Sequence, residues 1–212
     1  MNRMLIGLLI ALAACDSTDN EPIENAPPPI ASSARASIGA TAPEFVLPAT
    51  DGTLVTLSDF AGQAVVLEWF NPGCPFVKDV YGSDKMTDIA SKWTAQGVVW
   101  LTINSNAPGK NGAGRGTNQR AADKWDIGRP ILLDETGAVG KAYGAKTTPH
   151  MYVIAPDGTL AFAGAFSNAP LGSVTGSSET NYVDAALDEI TAGQPVTEAR
   201  PKPWGCSVKY GA

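Results

Sequence analysis

The sequence is short of histidine, cysteine and charge. Its 212 residues include one histidine, His150, and three cysteines, Cys15, Cys74 and Cys206, and 17% of the chain is charged. One imidazole gives no specific basis for a serine triad. With a single thiol beside it there are too few donors for a zinc site, so no metal is expected, and no cofactor motif calls for a bound group. No window clusters Lys or Arg, and the net charge is −6. Nucleic acid, whose phosphates need clustered cations, is therefore not an expected partner. No internal apolar run reaches the roughly 18 residues of a membrane-crossing helix, so any membrane attachment rests on the N-terminus. No internal repeat is visible. The glycine-bearing stretch from Ala107 to Gly116 matches neither a Walker nor a dinucleotide pattern and reads as a flexible loop.

Hydrophobic residues make up 44% of the chain, enough for one cored domain. At the N-terminus, Arg3 precedes the short apolar run Leu5 to Ala11, which has the shape of a secretory signal. It ends in Leu12-Ala13-Ala14-Cys15 and resembles the lipobox of bacterial lipoproteins, in which the cysteine becomes the lipidated first residue. The alternative is a signal cut nearby, with Cys15 incidental. The expected organisation is a signal over 1–14, a tether over 15–38 and a folded domain over 39–212. The tether holds Pro22, Pro27, Pro28 and Pro29 and no apolar periodicity. The implied location is the cell envelope: exported, lipid-anchored to a membrane, with the domain in the periplasm. Thiols there tend to be oxidised.

Along the domain, Phe45 to Leu47 and Leu54 to Leu57 flank the turn signal Asp51-Gly52 and predict a hairpin. Ala64 to Phe70 is an apolar run of buried-strand length with Glu68 inside it. Cys74 to about Trp93 carries a helical pattern that Gly82-Ser83 interrupts. Val98 to Ile103 predicts the next strand, Thr117 to Trp125 a short helix, Pro130 to Leu133 a strand and Val139 to Tyr143 a helix ended by Gly144. Met151 to Ile154 and Leu160 to Phe162 form a hairpin about Pro156-Asp157-Gly158. Asn181 to Ile190 is an amphipathic helix. Alternating strands and helices predict an α/β sheet covered on both faces.

Cys74 falls between a buried strand and a helix start. Pro72 and Gly73 make the turn, and Pro75 suits the first helical turn, where a missing N–H costs nothing. A sulfur there faces unsatisfied N–H groups and the positive end of the helix dipole. Both favour the thiolate, the species that attacks disulfides and peroxides. Lys78, one turn on, offers a positive charge. The competing reading is an inert core cysteine.

The run Val65 to Lys78 resembles the strand and active-site helix start of thioredoxin-fold proteins. With Phe45-x-Leu47, Thr102-Ile-Asn-Ser105, Tyr143-Gly-Ala145, Thr147-Thr-Pro-His150, Asn181-Tyr182 and Gly205-Cys206-Ser-Val-Lys-Tyr210 it is similar to a peroxiredoxin-like redoxin family related to the AhpC/TSA group. The resemblance implies a thioredoxin-like fold: a central mixed β-sheet flanked by helices, with an N-terminal β-hairpin extension. It implies Cys74 as the reactive cysteine and Cys206 as its resolving partner, though Cys206 is also open to a structural, unpaired or intermolecular role. Asn71, Pro72, Gly73, Pro75, Lys78, Thr148, Pro149 and His150 would line the pocket. Thr148-Pro149 resembles the cis-proline site, where the Thr148 backbone would pair with an extended partner beside Cys74. His150 would tune the thiolate or relay a proton. The implied partners are a peroxide or disulfide substrate and a thiol reductant, protein or small molecule. The chain departs from the pattern at Val77, where thioredoxins carry a second cysteine, and at Asn71, where peroxiredoxins carry Thr or Ser. It has no arginine just before Met151. Peroxide reduction and disulfide exchange both stay open, as does a non-catalytic module that binds an extended segment.

Overall fold

The computed structural model describes residues 30–31 and 34–211. The signal at 1–14, Cys15 and most of the tether at 15–38 lie outside the described residues. In chain order the strands are β1 (Ile30–Ala31), β2 (Phe45–Pro48), β3 (Leu54–Thr56), β4 (Val65–Trp69), β5 (Val99–Asn104), β6 (Ile131–Leu133), β7 (Thr147–Thr148), β8 (His150–Ile154), β9 (Leu160–Gly164) and β10 (Cys206–Ser207). The helices are α1 (Pro75–Gly82), α2 (Lys85–Thr94), α3 (Arg115–Lys124), α4 (Ala138–Tyr143) and α5 (Tyr182–Thr191).

The central sheet has the order β6-β5-β4-β8-β9. The strands β4, β5 and β6 run parallel, while β8 and β9 run antiparallel to their neighbours. This is the thioredoxin-like α/β arrangement, with a mixed sheet, helices on both faces and an N-terminal hairpin made by β2 and β3. Every side chain of β4 is buried, as a strand paired on both sides and covered on both faces requires.

Alternation along β4 divides the interior. Val66 joins Val77, Val80, Met86, Trp93, Val183 and Leu187 under α1, α2 and α5. Val65, Leu67 and Trp69 join Phe45, Leu47, Val139 and Tyr143 under the hairpin and α4. Trp69 is core, its ring tilted against Tyr143 and edge-on to Tyr152. The helical pattern from Cys74 to Trp93 resolves into two helices, because Asp84 takes left-handed backbone (φ +59°) between α1 and α2.

Two short strands depart from the sequence reading. Ile30–Ala31, within the segment read as tether, pairs with β2, and Cys206–Ser207 pairs with β7. The stretch from Ala107 to Gly116, expected to be a flexible loop, runs into α3 at Arg115 and is held by asparagines. The Asn104 amide donates to Gly112 O and Asn118 Oδ1 at 2.8 Å each, and the Asn106 amide donates to Asn111 O at 3.1 Å. No helix among the described residues is long and apolar enough to cross a membrane.

Candidate thiol site

The site begins where β4 ends. The Asn71 carbonyl accepts the Cys74 N–H at 3.0 Å, and its side-chain oxygen accepts the Gly73 N–H at 2.8 Å. Asn71 therefore closes the turn, and Pro72 and Gly73 ride on it. Cys74 is the N-cap of α1, extended at φ −78° and ψ 127°, with Pro75 opening the helix. Its sulfur is buried. It lies 3.1 Å from the Thr148 carbonyl oxygen, a contact that a protonated thiol donates.

The Thr148–Pro149 bond is cis. In β7, Thr148 stands opposite Cys206 of β10. The two sulfurs are neighbours, and each governs the other's ionisation. Burial pushes the Cys74 thiol up. Hydrogen bonding from the Cys206 thiol, the Thr148 side chain and the Val77 and Cys206 amides outweighs burial, so the net shift is downward. The sulfur makes no standard side-chain cap bond, but the Val77 N–H, third in α1, is close enough to favour the charged form. The Thr148 hydroxyl is buried with no hydrogen-bond partner of standard geometry, which leaves it available to the sulfur. Cys206 moves the other way, pushed up to about 11 by burial, by its bond to Cys74 and by the Cys74 charge. In the reduced pair the two thiols are therefore shifted in opposite directions, Cys74 downward and Cys206 upward.

Other expected pocket residues lie elsewhere. Lys78 is exposed one turn along α1, and no cation is among the causes that lower Cys74. The partly buried Arg129 lies 3.5 Å from the fully buried Glu68. His150 does not join the sulfur. Strand alternation sends it, with Tyr152, to the face of β8 opposite Met151 and Cys74. There its Nδ1 lies 3.1 Å from the Tyr152 hydroxyl and accepts the Lys146 N–H at 3.3 Å. A proton relay to Cys74 has no geometric support. Among the described residues no group of three or more His, Cys, Asp or Glu is placed to hold a metal.

Burial, then the Lys146 charge, lower His150 from 6.5 to about 4. This sets a pH dependence. As pH falls from 6.5 towards 4, the unfolded chain takes up a proton that the folded chain refuses, so folding stability drops with falling pH. The loss amounts to about 3 kcal/mol at full extent. His150→Asn, which keeps an acceptor for Lys146 and Tyr152, is expected to lose that slope in urea denaturation compared at about pH 7 and about pH 4. The buried carboxyls of Glu68 and Asp134 are raised by burial and slope the opposite way, but they do so in both proteins. An unchanged slope would show that His150 is protonated in the fold.

Sequence reasoning used only the Thr148 backbone and not its hydroxyl, missed Trp204, and read Ala107 to Gly116 as flexible. The Trp204 ring sits 5.8 Å from that of Phe76, and its indole N–H donates to Ser167 O at 2.6 Å. The only signal for it was the Trp204-Gly205-Cys206 string, which does not say where it docks.

Residues 38–163 match the AhpC/TSA family. The thiol-disulfide oxidoreductase ResA of Geobacillus thermodenitrificans is 28% identical over 125 residues, 58% of this chain and 67% of that protein. A second ResA, from Bacillus thuringiensis subsp. konkukian, is 23% identical over 160 residues, 75% of this chain and 86% of that protein. Among solved structures, an uncharacterized conserved protein from Geobacillus kaustophilus superposes with a TM-score of 0.75 at 30% identity. It covers 88% of this chain and 98% of its own. A hypothetical protein from Sinorhizobium meliloti 1021 gives 0.74 at 28% identity, covering 86% and 98%.

Proposed function

The chain belongs to the AhpC/TSA family, and from that premise we propose that it is a thiol–disulfide oxidoreductase working through Cys74 and Cys206. The observation that carries the reading is the juxtaposition of those two sulfurs. Cys74 stands at a helix N-cap with its thiol shifted downward, and Cys206 stands beside it across Thr148 with its thiol shifted upward. A binding module has no need of that asymmetry. The resemblance to ResA proteins points to the same chemistry.

The Cys74 thiolate attacks one sulfur of a substrate disulfide. An S–S bond forms at Cys74, and the other substrate sulfur leaves as a thiolate that takes up a proton. Cys206 loses its proton and attacks Cys74, which releases the second substrate thiol and leaves a Cys74–Cys206 disulfide. Two electrons have passed from the cysteine pair to the substrate. An external dithiol protein or two small thiols then return the pair to the reduced state by the same exchange.

Disulfide is favoured over peroxide as the substrate. The side chain at the position where peroxiredoxins carry Thr or Ser, Asn71, is committed to the turn, and Arg129 is paired with Glu68. Outside the cytosol, the location implied by the N-terminal signal, a dithiol of this kind reduces disulfides of exported proteins or is itself kept oxidised.

Mass spectrometry of the reduced protein mixed with a small aromatic disulfide, and separately with hydrogen peroxide, tests this. The disulfide is expected to give a mixed adduct at Cys74 that converts to a Cys74–Cys206 bridge. With peroxide, the bridge is expected to form at least about tenfold more slowly at equal concentration. Faster bridging with peroxide would reverse the substrate assignment. No bridging with either would remove the redox reading.

A further inference from the structure

The strand edge beside the nucleophile is already occupied. Thr147 and Thr148 pair with Ser207 and Cys206 of the same chain. An antiparallel pair on an open edge is the way an extended peptide is captured by a sheet, with backbone bonds supplying affinity and side-chain pockets supplying selectivity. Here the C-terminal segment makes both kinds of contact. Trp204 packs on Phe76 and bonds Ser167 O. Gly205 lies at φ +130°, and a Cβ there would collide with the Thr148 carbonyl, so only glycine lets the segment approach. Val208 N donates to Lys146 O at 3.1 Å. Lys209 is clamped from the other side, its N–H on Asn106 Oδ1 and its carbonyl on Ala107 N, both at 2.9 Å. The Tyr210 hydroxyl donates to Ala145 O at 2.8 Å. Beneath this segment Cys74 is almost fully covered (1% exposed).

We propose that residues 204–210 form a tethered strap seated on the docking edge beside Cys74, and that an extended, cysteine-bearing segment of a partner protein binds there only by displacing it. The strap itself shows what fits: an aromatic residue two places before the cysteine, a glycine between them, and an extended backbone. It also makes the closed site selective by size. A small disulfide reaches the sulfur after slight movement, whereas a protein segment needs the edge cleared. The strap holds an advantage over any free peptide of the same sequence, because its tether gives it an effective concentration on the order of millimolar. The inference deepens the reading of the cysteine pair and rests on it for the chemistry, but the docking itself needs no thiol.

Binding is therefore measured without thiol chemistry. The probe is a fluorescein-labelled peptide copying residues 201–210 with serine in place of Cys206. The proteins are the native full chain and its Gly205→Val and Trp204→Ala variants, all reduced, read by anisotropy. Amide exchange at Val208 reports whether the strap has left. The strap is expected to be released in at least one variant, and that variant is expected to bind the peptide at least about tenfold more tightly than the native chain. Trp204→Ala, at a partly exposed residue, carries the test if Gly205→Val does not fold. Equal binding by native and variant chains overturns the proposal. So does failure of a released variant to bind, or a Val208 amide that stays protected in both variants. A protein that binds the peptide yet forms no Cys74–Cys206 bridge keeps this inference and loses the redox reading. One that bridges normally but binds no peptide does the reverse.

Discussion

Cys74→Ser abolishes disulfide-reducing turnover, a loss of about a thousandfold or more, whereas Cys206→Ser stops the reaction after its first step. The two outcomes follow from the divided ionisation of the pair. At neutral pH a serine hydroxyl holds its proton, so no neighbouring donor turns it into a nucleophile of thiolate strength. Everything arranged around position 74 then has no charge to stabilise: the helix N-terminus, the Val77 amide, the Thr148 side chain and the Cys206 proton. At position 206 a serine still donates a hydrogen bond, so the Cys74 thiol stays shifted downward and still attacks. The mixed disulfide then accumulates, because nothing attacks it from within the chain. Cys206→Ala separates the two roles further. It removes the leading hydrogen bond that lowers Cys74, so the pH profile of Cys74 alkylation moves upward relative to Cys206→Ser. The measurements are steady-state reduction of a small disulfide with an excess dithiol for Cys74→Ser, intact-mass detection of the adduct without added thiol for Cys206→Ser, and alkylation rate against pH. Release of both substrate thiols by Cys206→Ser without added thiol would remove Cys206 from the cycle. An alkylation profile shared by Cys206→Ala and Cys206→Ser would remove its electrostatic role.

Much of this arrangement was legible in the chain because its signals are local. Asp51-Gly52 and Asp157-Gly158 sit at turns between alternating runs, and both hairpins formed where those signals stand. Val65 to Trp69 is apolar at nearly every position, as a doubly covered strand must be. Pro72, Gly73 and Pro75 mark a chain that turns and then starts a helix, so the setting of Cys74 could be read without coordinates. The features that escaped are those in which one partner is silent. The strand pieces Ile30–Ala31 and Cys206–Ser207 are two residues long and carry no period; they exist because a distant edge lends them hydrogen bonds. His150 misled for a different reason. It is next to Pro149 in sequence, but nearness along a strand is not nearness in space. Period-two alternation assigns it to the other face, and applying that rule to His150-Met151-Tyr152 was enough to foresee it. The loop over 105–112 reads as a polar, glycine-bearing linker. Its asparagines instead bond inward to their own backbone and to the C-terminal strap, a use that composition does not distinguish from solvation.

The charge inside β4 shows how much can hang on one such silent partner. Glu68 is fully buried, and every group that reaches it is able to donate to it. The Tyr81 hydroxyl lies at 2.8 and 2.9 Å from its two oxygens, the Trp100 indole N–H at 3.1 Å, the Thr102 hydroxyl at 3.3 Å and the Arg129 guanidinium at 3.5 Å. Burial pushes the Glu68 carboxyl up, and Arg129 followed by these donors pulls it back. The Trp100 indole and the Arg129 guanidinium can only donate, which favours a carboxylate that accepts over a carboxylic acid. Glu68→Ala is therefore expected to lower folding stability by about 3–5 kcal/mol, the scale of breaking a buried pair from one side. The substitution leaves a mostly buried cation and three unsatisfied donors around a cavity. Glu68→Gln is expected to cost less, although its new N–H groups find acceptors only in the Tyr81 and Thr102 hydroxyls. Pairing Glu68→Leu with Arg129→Met removes both charges, and the double variant is expected to be more stable than Glu68→Leu alone by at least about 1 kcal/mol. Urea denaturation of the set decides it. A Glu68→Ala protein within about 1 kcal/mol of native would show that the carboxyl is held protonated and that Arg129 finds its compensation in solvent. The measurement also bears on the thiol site. β4 runs from Glu68 through Trp69 into the Asn71–Gly73 turn, so a strand loosened at its buried charge loosens the turn that sets Cys74 at the head of α1.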